Sequence, residues 1–217
     1  MIKNKIFITI KIIVAISLLI SIIKGPITTI LILLFTLTLL LSSDYLKKKL
    51  NYSYKLQILI YIFILAAQLG GVLLNFYDTA NYYDDVMHTL SSFIIAALSL
   101  SILNKLTKEK NKKLTIIFAL SLSMSIAAVW EITEFTIDRV FNKDMQKDTV
   151  LTTITSSLLS EDNNITKKEI TSLYVNNIDY IAKYGGYIDI GLYDTMEDMI
   201  CALIGAILFI IKLLAEP

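Results

Sequence analysis

Nine side chains able to bind metal or move protons stand in three short clusters, each at the edge of a long apolar run. The clusters are Asp84, Asp85 and His88; Glu131, Glu134 and Asp138; and Asp194, Glu197 and Asp198. Each cluster contains a pair three or four residues apart, Asp84 with His88, Glu131 with Glu134 and Asp194 with Asp198, the spacing that places side chains on one face of a helix. Carboxylates and imidazole coordinate divalent cations and act as general bases. The spacing therefore predicts three helix faces that offer metal ligands.

The composition is that of a membrane protein. Hydrophobic residues make up 55% of the 217-residue chain and charged residues only 18%, and the mean hydropathy is +0.66. These values lie far outside the usual range of soluble domains. The net charge is only +1, and the lysines are spread over several connections, so we expect no nucleic-acid partner.

Six stretches approach the roughly 20 apolar residues that a membrane-spanning helix needs. They are residues 6–23, 26–42, 56–74, 84–103, 114–138 and 192–214. The sequence therefore predicts an all-α, polytopic membrane helix bundle in which residues 1–217 form a single membrane domain. An insertion of residues 139–191 separates the fifth and sixth spans.

Lysines are concentrated in alternate connections between these spans. They are Lys3, Lys5, Lys47, Lys48, Lys49, Lys55, Lys105, Lys108, Lys110, Lys112 and Lys113. Because positively charged connections stay on the cytoplasmic side, both termini are predicted to be cytoplasmic in a multi-pass protein of the cell membrane, with the insertion outside. Lys11, near the inner end of the first span, is expected to extend towards the cytoplasmic interface.

The insertion carries a pattern typical of a helix. Thr166 and Glu169 have the spacing of a capping box, and the apolar residues that follow recur at helical intervals. We therefore expect an amphipathic helix on the outer face. It would serve either as a lid over a site or simply as a cover for exposed bundle surface.

The predicted topology brings all three polar clusters to one depth, at the outer end of spans four to six. An acidic residue at a helix N-terminus is ordinarily only a partner of the helix dipole, and a single histidine is more often a hydrogen-bonded interface residue. Convergence of so many carboxylates with few cationic partners instead favours a bound metal ion. The predicted ligands are Asp84, His88, Glu131, Glu134, Asp194 and Asp198, with Asp85, Asp138 and Glu197 around them. Mg²⁺, Mn²⁺, Ca²⁺, Zn²⁺ and Fe all remain candidates.

Small residues on these spans are expected to serve packing. The serines of spans four and five, together with Gly70, Gly71 and Gly205, let helices approach closely.

The segments YYDDVMHTLSSFIIA, WEITEFTIDR and YDTMEDMICALIGAIL resemble the YjdF-like family of bacterial inner-membrane proteins and, more distantly, VanZ-like membrane proteins. The shared features are Asp84 with His88, Glu131 with Glu134, and Asp194 with Asp198. The resemblance covers spans four to six. It supports the site but implies no reaction, because the family has no assigned activity.

Three functions follow from these features. The first is a metal-dependent hydrolase or transferase acting on a lipid or lipid-linked substrate, with His88, Glu131 or Asp85 as general base. The second is a divalent cation transporter or channel, which needs polar groups across the membrane midplane. The third is a non-catalytic assembly module. Membrane lipids are the expected partners, and the oligomeric state stays open.

Overall fold

The structure, a computed structural model, describes residues 2–107, 111–189 and 191–215. Lys108 and Lys110, which the sequence assigns to a cytoplasmic connection, lie outside the described residues. The long helices are α1 (Ile2–Lys24), α2 (Ile27–Leu50), α3 (Tyr54–Leu65), α5 (Tyr83–Leu106), α6 (Lys112–Phe141) and α8 (Leu192–Ala215). A π-helical segment, Ala66–Leu73, continues α3, and two short helices are α4 (Phe76–Thr79) and α7 (Tyr180–Tyr184).

Six helical stretches in the described part of the chain are long and apolar enough to cross a membrane. Their apolar surfaces are largely exposed, as lipid-facing surfaces must be. The predicted all-α, multi-pass membrane architecture is thus confirmed. The chain divides into two compact units, a first unit of residues 1–127 and 198–217 and a second unit of residues 128–197, and each is described by itself below.

The apolar core of the first unit is formed mainly by α1, α2 and α3. Buried side chains from these helices, such as Val14, Leu40 and Ile64, pack in one cluster with Ile94 of α5. Gly25 and Pro26 form the short connection that turns α1 back into α2. Proline fits this position because its fixed φ suits a helix start and it lacks the N–H that a first helical turn leaves unused.

A buried polar network joins α1, α2 and α3. Lys11 donates a hydrogen bond to Asp44, whose other carboxylate oxygen accepts bonds from Gln57 Nε2 at 3.1 Å and from the Tyr61 hydroxyl at 2.8 Å. Gln57 also donates to Ser43 Oγ at 3.0 Å. Lys11 thus pairs with a carboxylate close to the lysines that end α2, while its extension to the cytoplasmic interface stays a prediction.

The π-helical segment is held by aromatic side chains. The ring of Tyr83 packs edge-on against Phe76 and Tyr77, and its hydroxyl donates to the Ala66 carbonyl at 2.9 Å. A Cβ on Gly70 would meet the Tyr83 hydroxyl, and one on Gly71 would meet the Tyr77 ring. Both glycines are thus close-packing points, as predicted.

Helices α5 and α8 pack with their backbones in close contact. A Cβ on Gly205 would collide with the carbonyl of Thr89, which explains why glycine stands there. Further along, Phe93 and Phe209 meet edge to face with ring centroids 5.9 Å apart. On the buried face of α6, Ser123 donates to the Ser92 carbonyl at 3.1 Å. These contacts fix the register of the helices that carry the candidate site.

The second unit differs from the expected insertion. The predicted amphipathic helix beginning at Thr166 is wrong: residues Thr166–Glu169 form a strand that pairs antiparallel with Thr153–Ser156. Two further antiparallel pairs join Thr149–Leu151 with Tyr187–Asp189 and Tyr174–Val175 with Ile178–Asp179. Asparagines with positive φ, at positions 163, 176 and 177, supply the turns. Frequent β-branched residues and these turns outweigh the capping-box pattern.

Candidate metal site

Helix α5 begins directly at the first polar cluster. Tyr82 precedes it in the left-handed region, with φ 62°, and this sharp entry places Asp84 and Asp85 in the first helical turn. One turn later, His88 Nε2 lies 3.4 Å from Asp84 Oδ1. The spacing of four residues thus brings imidazole and carboxylate together, as the sequence predicted.

A second carboxylate reaches the same imidazole from α8. Asp198 Oδ2 lies 3.4 Å from His88 Nε2, and the Asp198 side chain is only 3% exposed. Ligand atoms of Asp84, His88 and Asp198 all lie within 4.8 Å of one another. We call these three residues the His88 triad. It belongs entirely to the first unit.

The distances in the His88 triad are compatible with one bound metal ion. An N–H···O bond is normally about 2.7–3.2 Å long, which is shorter than the 3.4 Å that separates His88 Nε2 from each carboxylate. Two ligands held tetrahedrally at about 2.1 Å from one ion lie about 3.4 Å apart, whereas a right angle at that bond length gives about 3.0 Å. The two distances to His88 therefore agree with ligands of one small cation, and the ligand atoms of Asp84 and Asp198 lie within 4.8 Å of each other.

Asp85 lies on the other side of the first turn of α5, next to the single cysteine of the chain. The Cys201 thiol, one helical turn after Asp198, donates to Asp85 Oδ1 at 3.7 Å. The sequence assigned Cys201 no role, because nothing in the linear pattern relates it to position 85. Asp85 is thus adjacent to the His88 triad in sequence but faces a thiol.

Glu131 and Glu134 lie in the second unit, on the later half of α6, and both side chains are buried. They continue the buried face of this helix that Ala119 and Ser123 form earlier. Trp130 Nε1 donates to Glu134 Oε1 at 2.9 Å. Both carboxylates are thus withdrawn from solvent, and their role as ligands stays a prediction.

The remaining acidic residues of the clusters also belong to the second unit. Asp138 accepts bonds from the backbone amides of Met145 and Gln146, at 2.7 and 2.9 Å, and so closes the loop after α6. Asp194 Oδ2 accepts from the Lys147 amide at 2.9 Å. Glu197 is exposed. Asp138 thus has a clear structural role, while the role of Asp194 as a ligand stays a prediction.

Comparison with known families agrees with the resemblance seen in the sequence. Residues 6–215 match the family described as "Predicted membrane protein (DUF2238)". The chain belongs to this family. The resemblance to YjdF-like proteins is thereby confirmed, since YjdF is itself a DUF2238 protein. No significant match was found among curated proteins or among solved structures.

In this DUF2238 protein the match covers every described span, including the three helices that carry the polar clusters. The family description fixes membrane residence and gives no reaction. In the first unit, side chains that could hold an ion come together in the His88 triad.

Proposed function

We propose that this protein is a metal-dependent membrane enzyme that acts on a lipid or a lipid-linked substrate. The observation that carries the proposal is the His88 triad, in which one imidazole nitrogen lies 3.4 Å from each of two carboxylates. The triad lies within the first two turns of α5 and α8, so in a bilayer it would lie near the depth of the lipid headgroups. The ion would be held by Asp84, His88 and Asp198, and we propose Glu131, Glu134 and Asp194 as further ligands.

The donor set favours one class of ion. Imidazole suits zinc and iron, whereas purely oxygen sites suit Mg²⁺ and Ca²⁺. Catalytic Zn²⁺ sites combine imidazole with carboxylate ligands and leave a position open for water. We therefore propose Zn²⁺ or Fe²⁺ as the bound ion. Such an ion lowers the pKa of its bound water and polarises a carbonyl or phosphoryl oxygen.

The roles of the nearby side chains follow from this assignment. Once His88 binds the ion, its Nε2 can no longer accept a proton. Asp85 then becomes the nearest carboxylate outside the triad on α5, and we propose it as the general base, with Glu131 as the alternative. The apolar surfaces of the spans would admit acyl chains from the bilayer.

Elemental analysis of the purified protein tests the metal. Asp198→Asn removes a ligand charge while keeping the shape, and we expect it to lower the metal content strongly. Asp78→Asn is the matched control, because Asp78 is an exposed carboxylate on the nearby helix α4. Equal and negligible metal in wild type and both variants would refute the proposal.

A lipid assay tests the chemistry. The wild type, reconstituted with Zn²⁺ in nanodiscs of bacterial lipid extract, should convert a lipid species that mass spectrometry detects. The His88→Ala variant should leave the same extract unchanged. Metal binding without any lipid conversion would support a binding protein rather than an enzyme.

Cation transport is the second candidate, and the polar network of Lys11, Asp44, Gln57 and Tyr61 favours it. Gln57 lies nine residues before Ala66 on the same helical run, which corresponds to about 13 Å along the helix. The first unit thus has a second polar level besides the His88 triad, and a transport path would use both. Zn²⁺ flux into proteoliposomes that is abolished by both Asp198→Asn and Asp44→Asn would establish transport instead of catalysis.

A further inference from the structure

Ser92 lies one helical turn after His88 on the buried face of α5, and its side chain is 1% exposed. Its hydroxyl has no hydrogen-bond partner among the described residues. A buried hydroxyl without a partner destabilises a protein, so native structures rarely keep one. We therefore expect a ligand that forms a hydrogen bond with the Ser92 hydroxyl.

Other hydroxyls on the spans show what Ser92 does differently. Ser91 Oγ donates to the His88 carbonyl at 2.9 Å and Ser99 Oγ to the Ala96 carbonyl at 2.6 Å. Thr36 likewise donates to the Ile32 carbonyl at 2.7 Å. Serine and threonine hydroxyls in helices commonly donate a hydrogen bond to a backbone carbonyl of the preceding turn in this way. Ser92 does not, although its own carbonyl accepts a bond from Ser123.

The location of Ser92 indicates the side from which a partner comes. Residues four apart share a helix face, with Cβ atoms about 5–6 Å apart, and helical side chains lean towards the N-terminus. The Ser92 hydroxyl therefore leans towards the turn that carries His88. One turn after Asp198, α8 presents Ala202, which is buried and offers no polar atom. The His88 triad thus lies on the side towards which the Ser92 hydroxyl leans, and Ser123 of α6 already donates the hydrogen bond of its own hydroxyl to the Ser92 carbonyl.

We propose that Ser92 Oγ hydrogen-bonds a water molecule or hydroxide that is the inward ligand of the ion in the His88 triad. A serine hydroxyl stands only one bond beyond Cβ, so a water-sized molecule bridges it to an ion held one turn away. The hydroxyl oxygen accepts a hydrogen bond from the bound water, or its O–H donates one to the hydroxide, and this bond fixes the orientation of that ligand. Ser92 is then a positioning residue for the oxygen that the ion activates. This inference rests on the proposed metal site.

Cobalt binding to the purified full-length protein tests the assignment, since Co²⁺ occupies zinc sites and its visible absorption reports the ligands. Partners that hydrogen-bond to metal ligands typically contribute 10–100-fold to affinity. Ser92→Ala should therefore weaken Co²⁺ binding about 10-fold and change the pH at which the visible spectrum titrates. It should not lower the thermal stability of the metal-free protein, because it removes an unsatisfied hydroxyl.

Ser99→Ala is the matched control. Ser99 is a fully buried serine on the same face of α5, but its hydroxyl is already bonded to Ala96. It should leave the Co²⁺ affinity and spectrum unchanged. If Ser92→Ala binds Co²⁺ like the wild type while Asp198→Asn does not, the metal site stands and the role of Ser92 is refuted. An equal loss in both serine variants would also refute it, and a wild type that binds no Co²⁺ would refute both proposals.

Discussion

The hydroxyl of Tyr83 donates to the carbonyl of Ala66 at 2.9 Å and so ties the start of α5 to the π-helical segment that continues α3. Tyr83 directly precedes Asp84 in the chain. Single π turns within α-helices occur frequently at functional sites, where they shift a side chain or free a carbonyl. Here the Ala66 carbonyl accepts the hydrogen bond of the Tyr83 hydroxyl. This bond holds the first turn of α5, which carries Asp84 of the His88 triad.

Tyr83→Phe removes only this hydroxyl. We expect the free energy of unfolding to fall by about 1 kcal/mol, the usual contribution of one hydrogen bond, and the metal affinity to fall with it because Asp84 loses its anchor. Thermal unfolding and metal titration in detergent measure the two effects. Tyr82→Phe is the control, since the neighbouring side chain is 77% exposed. Identical behaviour of the two variants would mean that the anchor is unimportant.

Gly205→Ala tests the close contact between α5 and α8. The added methyl group would meet the backbone carbonyl of Thr89, which cannot move as a side chain can. Overpacking of this kind commonly destabilises by about 1–3 kcal/mol, and we expect a lower melting temperature and weaker metal binding. Leu208→Ala, on the exposed face of the same helix, should change both much less. A Gly205→Ala protein as stable as the wild type would contradict the contact.

The pair of Lys11 and Asp44 can be tested by a double-mutant cycle. Asp44→Leu leaves the Lys11 ammonium without its carboxylate and should destabilise the protein by about 1.5–3 kcal/mol, the range for hydrogen bonds to charged groups. Adding Lys11→Met to this variant should recover part of the loss, because replacing both partners by apolar residues is often neutral. Thermal unfolding of the two single variants and the double variant gives the coupling. Strictly additive effects would mean that the two side chains do not interact.

Bound metal should stabilise the folded protein. A ligand present at about 100 times its Kd adds about 2.7 kcal/mol to the free energy of unfolding. Treatment with a chelator is therefore expected to lower the melting temperature, and Zn²⁺ should restore it. The His88→Ala variant should respond to neither treatment. If neither the chelator nor Zn²⁺ changes the melting temperature of the wild type, the metal site is refuted.

The orientation in the membrane can be tested with the single cysteine removed. In a Cys201→Ala background, Glu161→Cys places a thiol on an exposed turn of the insertion, and Lys48→Cys places one at the end of α2. A membrane-impermeant maleimide should label position 161 in intact cells and position 48 only after permeabilisation. The opposite pattern would invert the topology that the lysine distribution predicts.

The six spans were predictable because hydropathy over about 20 residues is a strong signal in a chain of this composition. The relation between Asp84 and His88 was also predictable, since both lie on one helix four residues apart. The contact of His88 with Asp198 followed only from the assumed topology, because no sequence pattern measures a distance between helices.

Other features lay beyond reach of the sequence. The insertion was misread because a capping box at Thr166 is a local signal, and strand pairing with Thr153–Ser156 is decided by residues far along the chain. The sequence assigned no role to Asp44, which stands close to the lysines that end α2. Its partnership with Lys11 joins residues 33 positions apart. The sequence could not show that the Ser92 hydroxyl lacks a hydrogen bond, because a helical serine normally donates one to a backbone carbonyl of its own helix.

The bond between Lys11 and Asp44 also bears on biogenesis. During synthesis α1 precedes α2, so an isolated α1 would carry its ammonium group into the bilayer before the neutralising carboxylate is available. The short connection at Gly25 and Pro26 allows both helices to enter together as a hairpin in which the charges meet at once. The translocon would then handle the two helices as one insertion unit, and nascent chains that stop before Asp44 should remain extractable from the membrane by alkaline carbonate.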